Sequence, residues 1–201
     1  MANEEVNTGR RRFLTVTTAV VGAVGVAGVA VPFARSWLPS AETLLAGGPV
    51  DVDISKLGNE PGMFLKAKWR GKPVFVFQRT TEQLQLLPSL DSRLVDPASD
   101  NSEQTPVFAK NAHRSIKPEL GVLVGICTHL GCVPQYRPEV QPQPFDPDWK
   151  GGFYCACHGS RYDLAGRVFQ NVPAPRNLAV PPYMFVDDHH LVVGTAPAGA
   201  A

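Results

Sequence analysis

Two short loops, residues 127–132 and 155–160, contain all four cysteines of the chain and two of its five histidines. They read Cys-Thr-His-Leu-Gly-Cys and Cys-Ala-Cys-His-Gly-Ser. In each loop a cysteine and a histidine lie close together beside a glycine, a spacing that suits a tight turn with both side chains pointing inward. Each loop can therefore supply one thiolate and one imidazole, which predicts a metal centre. A further cysteine remains in each loop, and two such cysteines on facing loops can form a disulfide.

Two other uses of these residues compete with a redox centre. A structural zinc site takes the same donors, but its usual pattern is different. Two cysteines with roughly two to four residues between them are followed by two histidines with roughly three to five residues between them, and neither loop has this pattern. A membrane-tethered zinc-binding module would be recognised by its metal content. A pair of structural disulfides would account for the cysteines but would leave both histidines unexplained.

The two loops resemble the C-T-H-L-G-C and C-x-C-H-G-S loops of Rieske iron-sulfur proteins almost letter for letter. In that family, two cysteines hold one iron of a 2Fe-2S cluster and two histidines hold the other. The resemblance implies that Cys127 and Cys155 hold the inner iron. It implies that His129 and His158 hold the outer iron.

The same resemblance implies roles for five further positions. Cys132 and Cys157 are expected to form a disulfide that clamps the loops. Ser160 and Tyr162 occupy positions whose hydroxyls, in high-potential members of the family, donate to a bridging sulfide and to the sulfur of the first cysteine ligand. Such donors favour the more negative reduced state. Leu130 is expected to shield the cluster and to contact a quinol ring.

Outside the loops, the residue patterns favour β-structure. Runs of β-branched and aromatic residues predict strands at residues 63–69, 73–79, 120–126, 183–186 and 191–193. Residues 80–87 suggest one short helix, and the turn-rich segments 88–117 and 133–151 are expected to be irregular loops. The resemblance implies a mainly β fold, a Rieske-type antiparallel β-sandwich over residues 50–201, with a small cluster-binding subdomain within about 121–176.

Composition limits the function classes. With 201 residues, the chain can hold one domain of moderate size plus an appendage. It has 19 basic and 18 acidic residues, of which four and two lie in the first 35 positions, so the remaining 15 and 16 nearly balance. A nucleic-acid-binding protein needs a basic stripe, and the sequence has none. We therefore expect no nucleic-acid partner.

The N-terminal region predicts a membrane anchor. Residues 13–34 contain no charged side chain, and this run, at about 1.5 Å per residue, reaches roughly the 30 Å of a bilayer core. Three arginines precede it and only Arg35 directly follows it, so the positive-inside rule places residues 1–12 in the cytoplasm. The chain is expected to cross a bacterial inner membrane once, with residues 50–201 in the periplasm.

Residues 9–15, Gly-Arg-Arg-Arg-Phe-Leu-Thr, resemble the twin-arginine export signal. This pathway exports folded proteins, which suits a cofactor assembled in the cytoplasm. Because the apolar run has no strict Ala-x-Ala site, we expect it to be retained as an anchor rather than cleaved. Residues 35–49, which end in Gly-Gly-Pro, are expected to form a flexible tether.

The resemblance runs from Arg10 to about Val193 and extends to Rieske subunits of bacterial cytochrome bc complexes, the quinol:cytochrome c oxidoreductases. Residues 172–175, Val-Pro-Ala-Pro, resemble the proline loop that covers the cluster there. The resemblance implies that the cluster takes an electron from a ubiquinol-type quinol at cytochrome b, with His129 and His158 handling the proton. The electron would pass to a membrane-anchored c-type cytochrome. The chain would then be a redox subunit that is not catalytic alone.

Two other redox classes remain open at this point. Rieske oxygenase components and soluble ferredoxins share the Cys-His ligands, but they usually lack the disulfide pair and the anchor. The Rieske small subunit of a periplasmic oxidase such as arsenite oxidase can have a twin-arginine signal. Signal cleavage and a soluble heterodimer would favour that alternative.

Overall fold

The computed structural model describes residues 7–41, 43, 47–58, 62–197 and 199. Its contacts divide the chain into two units, Met1–Leu45 and Ala46–Ala201. Parts of three predicted segments lie outside the described residues: positions 1–6 of the cytoplasmic N-terminus, positions 42 and 44–46 of the tether, and positions 59–61, 198 and 200–201 of the head.

The first unit contains helix α1, Thr8–Ser36. The side chain of Asn7 caps its start by accepting from the backbone N–H of Arg10 at 3.0 Å. The 29 residues span about 44 Å, which exceeds the hydrocarbon thickness of a bilayer. By length and composition it is, within the described ranges, the one helix able to cross a membrane. The helix begins ahead of the predicted span 13–34, so the arginines of the export motif are also helical.

The second unit, as far as it is described, contains three antiparallel three-stranded sheets with orders β1-β9-β8, β2-β3-β4 and β5-β6-β7. The strands are β1 Val50–Asp53, β2 Phe64–Trp69, β3 Lys72–Gln78, β4 Leu120–Val124, β5 Gln135–Arg137, β6 Gly152–Cys155, β7 Ser160–Asp163, β8 Tyr183–Phe185 and β9 His190–Val193. Helix α2 is Thr81–Leu86, and 3-10 helices cover Ser55–Leu57, Leu87–Arg93 and Val107–Ala109. The prediction of a mainly β head is confirmed.

Strand β3 is the centre of the main core. It pairs with β2 on one side and β4 on the other, and its run Val74–Phe77 is completely buried. A strand covered on both faces needs a continuous apolar run rather than alternation. The ring of Phe75 stacks on Phe153 of β6 with centroids 5.5 Å apart. The β2-β3-β4 sheet thereby supports the sheet that carries the second cysteine loop.

The two segments expected to be irregular are more ordered than predicted. Residues 88–117 include most of a 3-10 helix, and residues 133–151 include strand β5, so that expectation was partly wrong. The two segments pack together around a second apolar cluster made of Leu90, Leu94, Trp149 and Phe169. An ion pair at 2.6 Å between Arg93 and the buried carboxylate of Asp146 joins them.

Candidate metal centre

Both cysteine loops are the same kind of turn. In the first, the N–H of Gly131 donates to the carbonyl of Cys127 at 3.0 Å, and in the second, the N–H of Gly159 donates to the carbonyl of Cys155 at 2.9 Å. The two glycines have φ of +84° and +78°, a left-handed conformation that side chains disfavour. The first loop follows β4, and the second joins β6 to β7. Two matching turns therefore lie at the ends of β4, β6 and β7.

A disulfide joins the two loops through Cys132 and Cys157. This confirms the pairing that the family resemblance implied. Among the described residues, the free cysteines are Cys127 and Cys155, and both are buried. The sulfur of Cys155 lies within 4.8 Å of both disulfide sulfurs. Because those two sulfurs are bonded to each other, this trio is not itself a metal site.

The two loop histidines face each other across the loops. The rings of His129 and His158 lie edge to face, with their centroids 4.7 Å apart. His158 is exposed and His129 is half-buried. The Nδ1 atom of His129 is buried and has no hydrogen-bond partner among the described residues. A buried ring nitrogen without a partner is costly unless a ligand completes it. Two free thiols and two imidazoles therefore fit a cluster with mixed cysteine and histidine ligands.

Tyr162 places a hydroxyl on the first free cysteine. Its oxygen lies 3.2 Å from the Sγ of Cys127 and accepts from the backbone N–H of Thr128 at 3.1 Å. The Thr128 hydroxyl also lies 3.2 Å from the Tyr162 oxygen, and it donates to the carbonyl of Arg176 at 2.7 Å. Burial raises the pKa of Tyr162 above its usual range, so the phenol keeps its proton. The Tyr162 proton therefore has two acceptors within reach, the Sγ of Cys127 and the hydroxyl oxygen of Thr128, each at 3.2 Å.

The two free thiols differ in their acidity. Burial opposes ionisation of Cys127, but hydrogen bonds from the Tyr162 hydroxyl and the His129 backbone outweigh it and lower the pKa of this thiol. Burial raises the pKa of Cys155, and its neighbour Cys127 adds to that effect. Cys127 is thus the thiol that the surrounding chain prepares for the thiolate form, which is the form that binds metal.

Ser160 connects the centre to the proline loop. Its hydroxyl is buried and accepts from the backbone N–H of Ala174 at 3.1 Å. Ala174 lies within residues 172–175, the segment that resembles the cluster-covering loop. The hydroxyl proton of Ser160 remains for a second partner. One side chain thereby fixes the proline loop at the start of β7.

The tip of the centre is apolar and open. Leu130 is 71% exposed and Val133 is 49% exposed. Sequence reasoning singled out Leu130 but missed Val133, although its position directly after the first loop was a usable signal. It also missed Thr128, which lies inside the motif. Gly152 was missed as well, and a Cβ there would collide with the carbonyl oxygen of Tyr162. Only glycine lets β6 approach β7 this closely.

Comparison with known protein families identifies the class of this head. The family described as "Rieske 2Fe-2S domain" matches residues 95–183. The family described as "Ubiquitinol-cytochrome C reductase Fe-S subunit TAT signal" matches residues 1–40. The second unit thus contains a Rieske domain, whose cofactor is a 2Fe-2S cluster.

Curated relatives narrow the class. The chain is 55% identical to a ubiquinol-cytochrome c reductase iron-sulfur subunit of Allochromatium vinosum, over 96% of this chain and 92% of the relative. It is 43% identical to the subunit of the same name from Blastochloris viridis, over 94% of both chains. A solved chain titled "Hyperthermophilic respiratory Complex III" is 25% identical, with a TM-score of 0.46, over 88% of this chain and 98% of that one. The chain belongs to the family of ubiquinol-cytochrome c reductase iron-sulfur subunits.

Membership settles several expectations. The chain is a redox subunit with a 2Fe-2S cluster, and it carries an N-terminal export signal with an apolar helix long enough to cross a membrane. The relatives carry the name of a quinol-oxidising complex rather than of a periplasmic oxidase. The arsenite-oxidase alternative therefore loses its support.

Proposed function

We propose that this chain takes one electron and one proton from a ubiquinol-type quinol at cytochrome b and delivers the electron to a membrane-anchored c-type cytochrome. The donor set supports this proposal most directly. Two buried free thiols lie in loops joined by a disulfide, and two histidine rings lie 4.7 Å apart. The buried Nδ1 of His129, without a partner among the described side chains and backbone, points to a bound metal.

We assign the ligands by this geometry together with the family pattern. Cys127 and Cys155 hold the inner iron, and His129 and His158 hold the outer one. When bound, the cluster supplies a one-electron acceptor whose potential, for Rieske centres as a class, lies within roughly −150 to +300 mV. Neutral imidazoles in place of two thiolates reduce the negative charge at the site, so an electron is accepted more easily. That range suits oxidation of a quinol.

The histidines handle the proton. With Nδ1 of His129 used for iron, Nε2 of the same ring is free to bind a proton, and His158 offers its own second nitrogen at an exposed position. A metal held here would draw electron density from the imidazole rings, so that a free ring nitrogen would take up a proton together with the electron. Electron and proton uptake are thereby coupled at these two side chains.

The apolar tip orients the substrate. Leu130 and Val133 expose apolar surface, and Leu130 directly follows His129 in the chain. A quinol ring that packs against this surface can present its hydroxyl to the free histidine nitrogen.

The anchor and the tether set where the head works. We propose that residues 1–12 lie in the cytoplasm, that residues 13–34 span the inner membrane and are retained, and that the head of residues 50–201 lies in the periplasm. The tether, residues 35–49, lets the head move between its two redox partners. At its far end, the carbonyl of Gly47 accepts from the Nε of Arg70 at 3.4 Å, a long contact that a moving tether can release.

Matched histidine variants test the proposal in membranes that contain the full chain. His158→Ala is expected to abolish both the electron paramagnetic resonance signal of the ascorbate-reduced cluster and quinol:cytochrome c activity. His189→Ala is the control, because His189 is exposed in the turn between β8 and β9. A retained Rieske signal in His158→Ala, or zinc in place of iron in the unaltered chain, would overturn the proposal.

A further inference from the structure

Three buried arginines converge on the turn that follows β7. Each is 2% exposed or less, and together they hold three consecutive residues, the last of β7 and the first two of the turn. The bonds join Asp163 Oδ2 to Arg167 Nε at 2.8 Å, Leu164 O to Arg79 Nε at 2.9 Å, and Ala165 O to Arg114 Nη1 at 2.9 Å. A short turn fixed by three separate guanidinium groups has little freedom to move.

Two of these guanidinium groups bond no carboxylate in the part of the chain that the structure describes. Their other acceptors are neutral oxygens: Ser115 Oγ and Pro118 O for Arg79, and Thr105 Oγ1, Gln104 O and Leu178 O for Arg114. The buried carboxylate of Asp163 is bonded to Arg167. Asp96, which also lies near Arg114, accepts from the backbone N–H groups of Asp100 and Asn101.

Both groups nevertheless stay charged at neutral pH. Burial lowers the pKa of Arg79 to about 10 and that of Arg114 to about 10. These values remain well above 7, so each side chain carries its full positive charge. The interior next to β7 therefore contains two cations without a carboxylate bonded to them.

The turn continues directly into the metal centre. Tyr162, whose hydroxyl lies 3.2 Å from the Sγ of Cys127, is the residue immediately before Asp163. Ser160 begins the same four-residue strand. Any shift of the turn would move both hydroxyls, and any charge held at the turn lies in the low-dielectric interior that surrounds the centre.

We propose that Arg79 and Arg114 are positioning residues of the redox centre, which fix β7 and supply unpaired buried positive charge that raises the midpoint potential. The reduced centre carries one more negative charge than the oxidised one. Buried charge is screened by solvent far less than surface charge, so these cations stabilise the reduced state. This inference rests on the proposed function, because it assumes that the two cysteine loops hold the cluster.

Redox titrations of membranes containing the full chain, monitored by electron paramagnetic resonance, test the proposal with charge changes of both signs at one turn. Arg114→Gln removes a positive charge and is expected to lower the midpoint. Asp163→Asn removes a negative charge and is expected to raise it. If the substitutions only loosened the turn, the midpoints of Arg114→Gln and Asp163→Asn would shift in the same direction. Such a result would overturn the proposal.

Two further variants keep the test decisive if Arg114→Gln does not fold. Arg114→Lys keeps the charge and loses most of the bonds, so its midpoint is expected to fall less than that of Arg114→Gln. An equal fall in both variants would overturn the proposal. Arg137→Gln removes an exposed charge and is expected to cause no shift. A midpoint in Asp163→Asn that is not raised would overturn the proposal by itself.

The same titrations separate this inference from the proposed function. If the unaltered chain gave no ascorbate-reducible Rieske signal, the proposed function would fail and this inference with it. If the unaltered chain gave the signal and all variants had its midpoint, only the inference would fail.

Discussion

Single hydroxyl groups tune the centre, and Tyr162 is the clearest case. Tyr162→Phe removes the donor 3.2 Å from the Sγ of Cys127. A hydrogen bond that favours the reduced state by about 1 kcal/mol corresponds to roughly 40 mV for one electron, so we expect the midpoint to fall by tens of millivolts. We expect Ser160→Ala to lower it by a similar amount. An electrochemical titration of the cluster measures both shifts.

Tyr183→Phe is the matched control for this prediction. Tyr183 is also a buried tyrosine, but its hydroxyl accepts from the backbone N–H of Ile116 at 2.8 Å rather than contacting a thiol. Its loss is expected to cost stability and to leave the midpoint unchanged. Equal midpoints in Tyr162→Phe, Ser160→Ala and the unaltered chain would show that the hydroxyls do not act on the cluster.

The sequence predicts the cysteine loops well because their geometry is local. In each loop of six residues the N–H of the glycine bonds the carbonyl of the loop's own first cysteine, so the short sequence already contains the turn. The supporting residues are different. Arg114 bonds the carbonyl of Leu178, which is 64 positions away in the chain, and a buried arginine has no local pattern. Such partners become visible only in the folded chain.

Among the elements, the loop between the two cysteine motifs depends on one buried carboxylate. Asp146 is 1% exposed and bonds Arg93 at 2.6 Å and Arg161 at 3.1 Å, which ties this loop to two other segments. Asp146→Ala leaves both guanidinium groups without this partner. We expect it to lower the free energy of unfolding by about 3 kcal/mol. Thermal unfolding of the full chain in detergent, followed by circular dichroism, measures the loss.

Asp148→Ala provides the control for Asp146→Ala. Asp148 also bonds Arg93, at 3.2 Å, but its side chain is 63% exposed. An exposed pair is worth less than about 1 kcal/mol. If both variants lost the same stability, the loop would not depend on the buried carboxylate.

Local signals also decide which elements the sequence predicts. Helix α2 is correctly predicted because its start is a capping box, in which Thr80 and Gln83 bond each other's backbone N–H groups. Strand β3 is correctly predicted from its apolar run. Strand β5 is missed because its three residues lie between prolines, and it forms only by pairing with β6. Its assignment therefore depends on tertiary contacts that no short segment contains.

For the whole molecule, the tether is expected to limit turnover. Proline at positions 47 and 48 would fix backbone angles that glycine leaves free. We expect the double variant Gly47→Pro, Gly48→Pro to slow quinol:cytochrome c turnover several-fold with an unchanged cluster spectrum. The alanine double variant at the same positions is the control and should turn over faster than the proline variant. Unchanged turnover in the proline variant would make the tether a simple spacer.

The most direct measurement is a redox titration of the cluster in membranes that contain the full chain, repeated across a range of pH. Our account predicts a rhombic Rieske signal in electron paramagnetic resonance after reduction of the cluster with ascorbate. It also predicts that the midpoint falls as the pH is raised in the alkaline range, with a slope that approaches about 59 mV per pH unit. The reason is that proton uptake by His129 and His158 accompanies reduction. A signal that requires dithionite, or a midpoint that does not change with pH, would contradict a centre that oxidises quinol through these histidines.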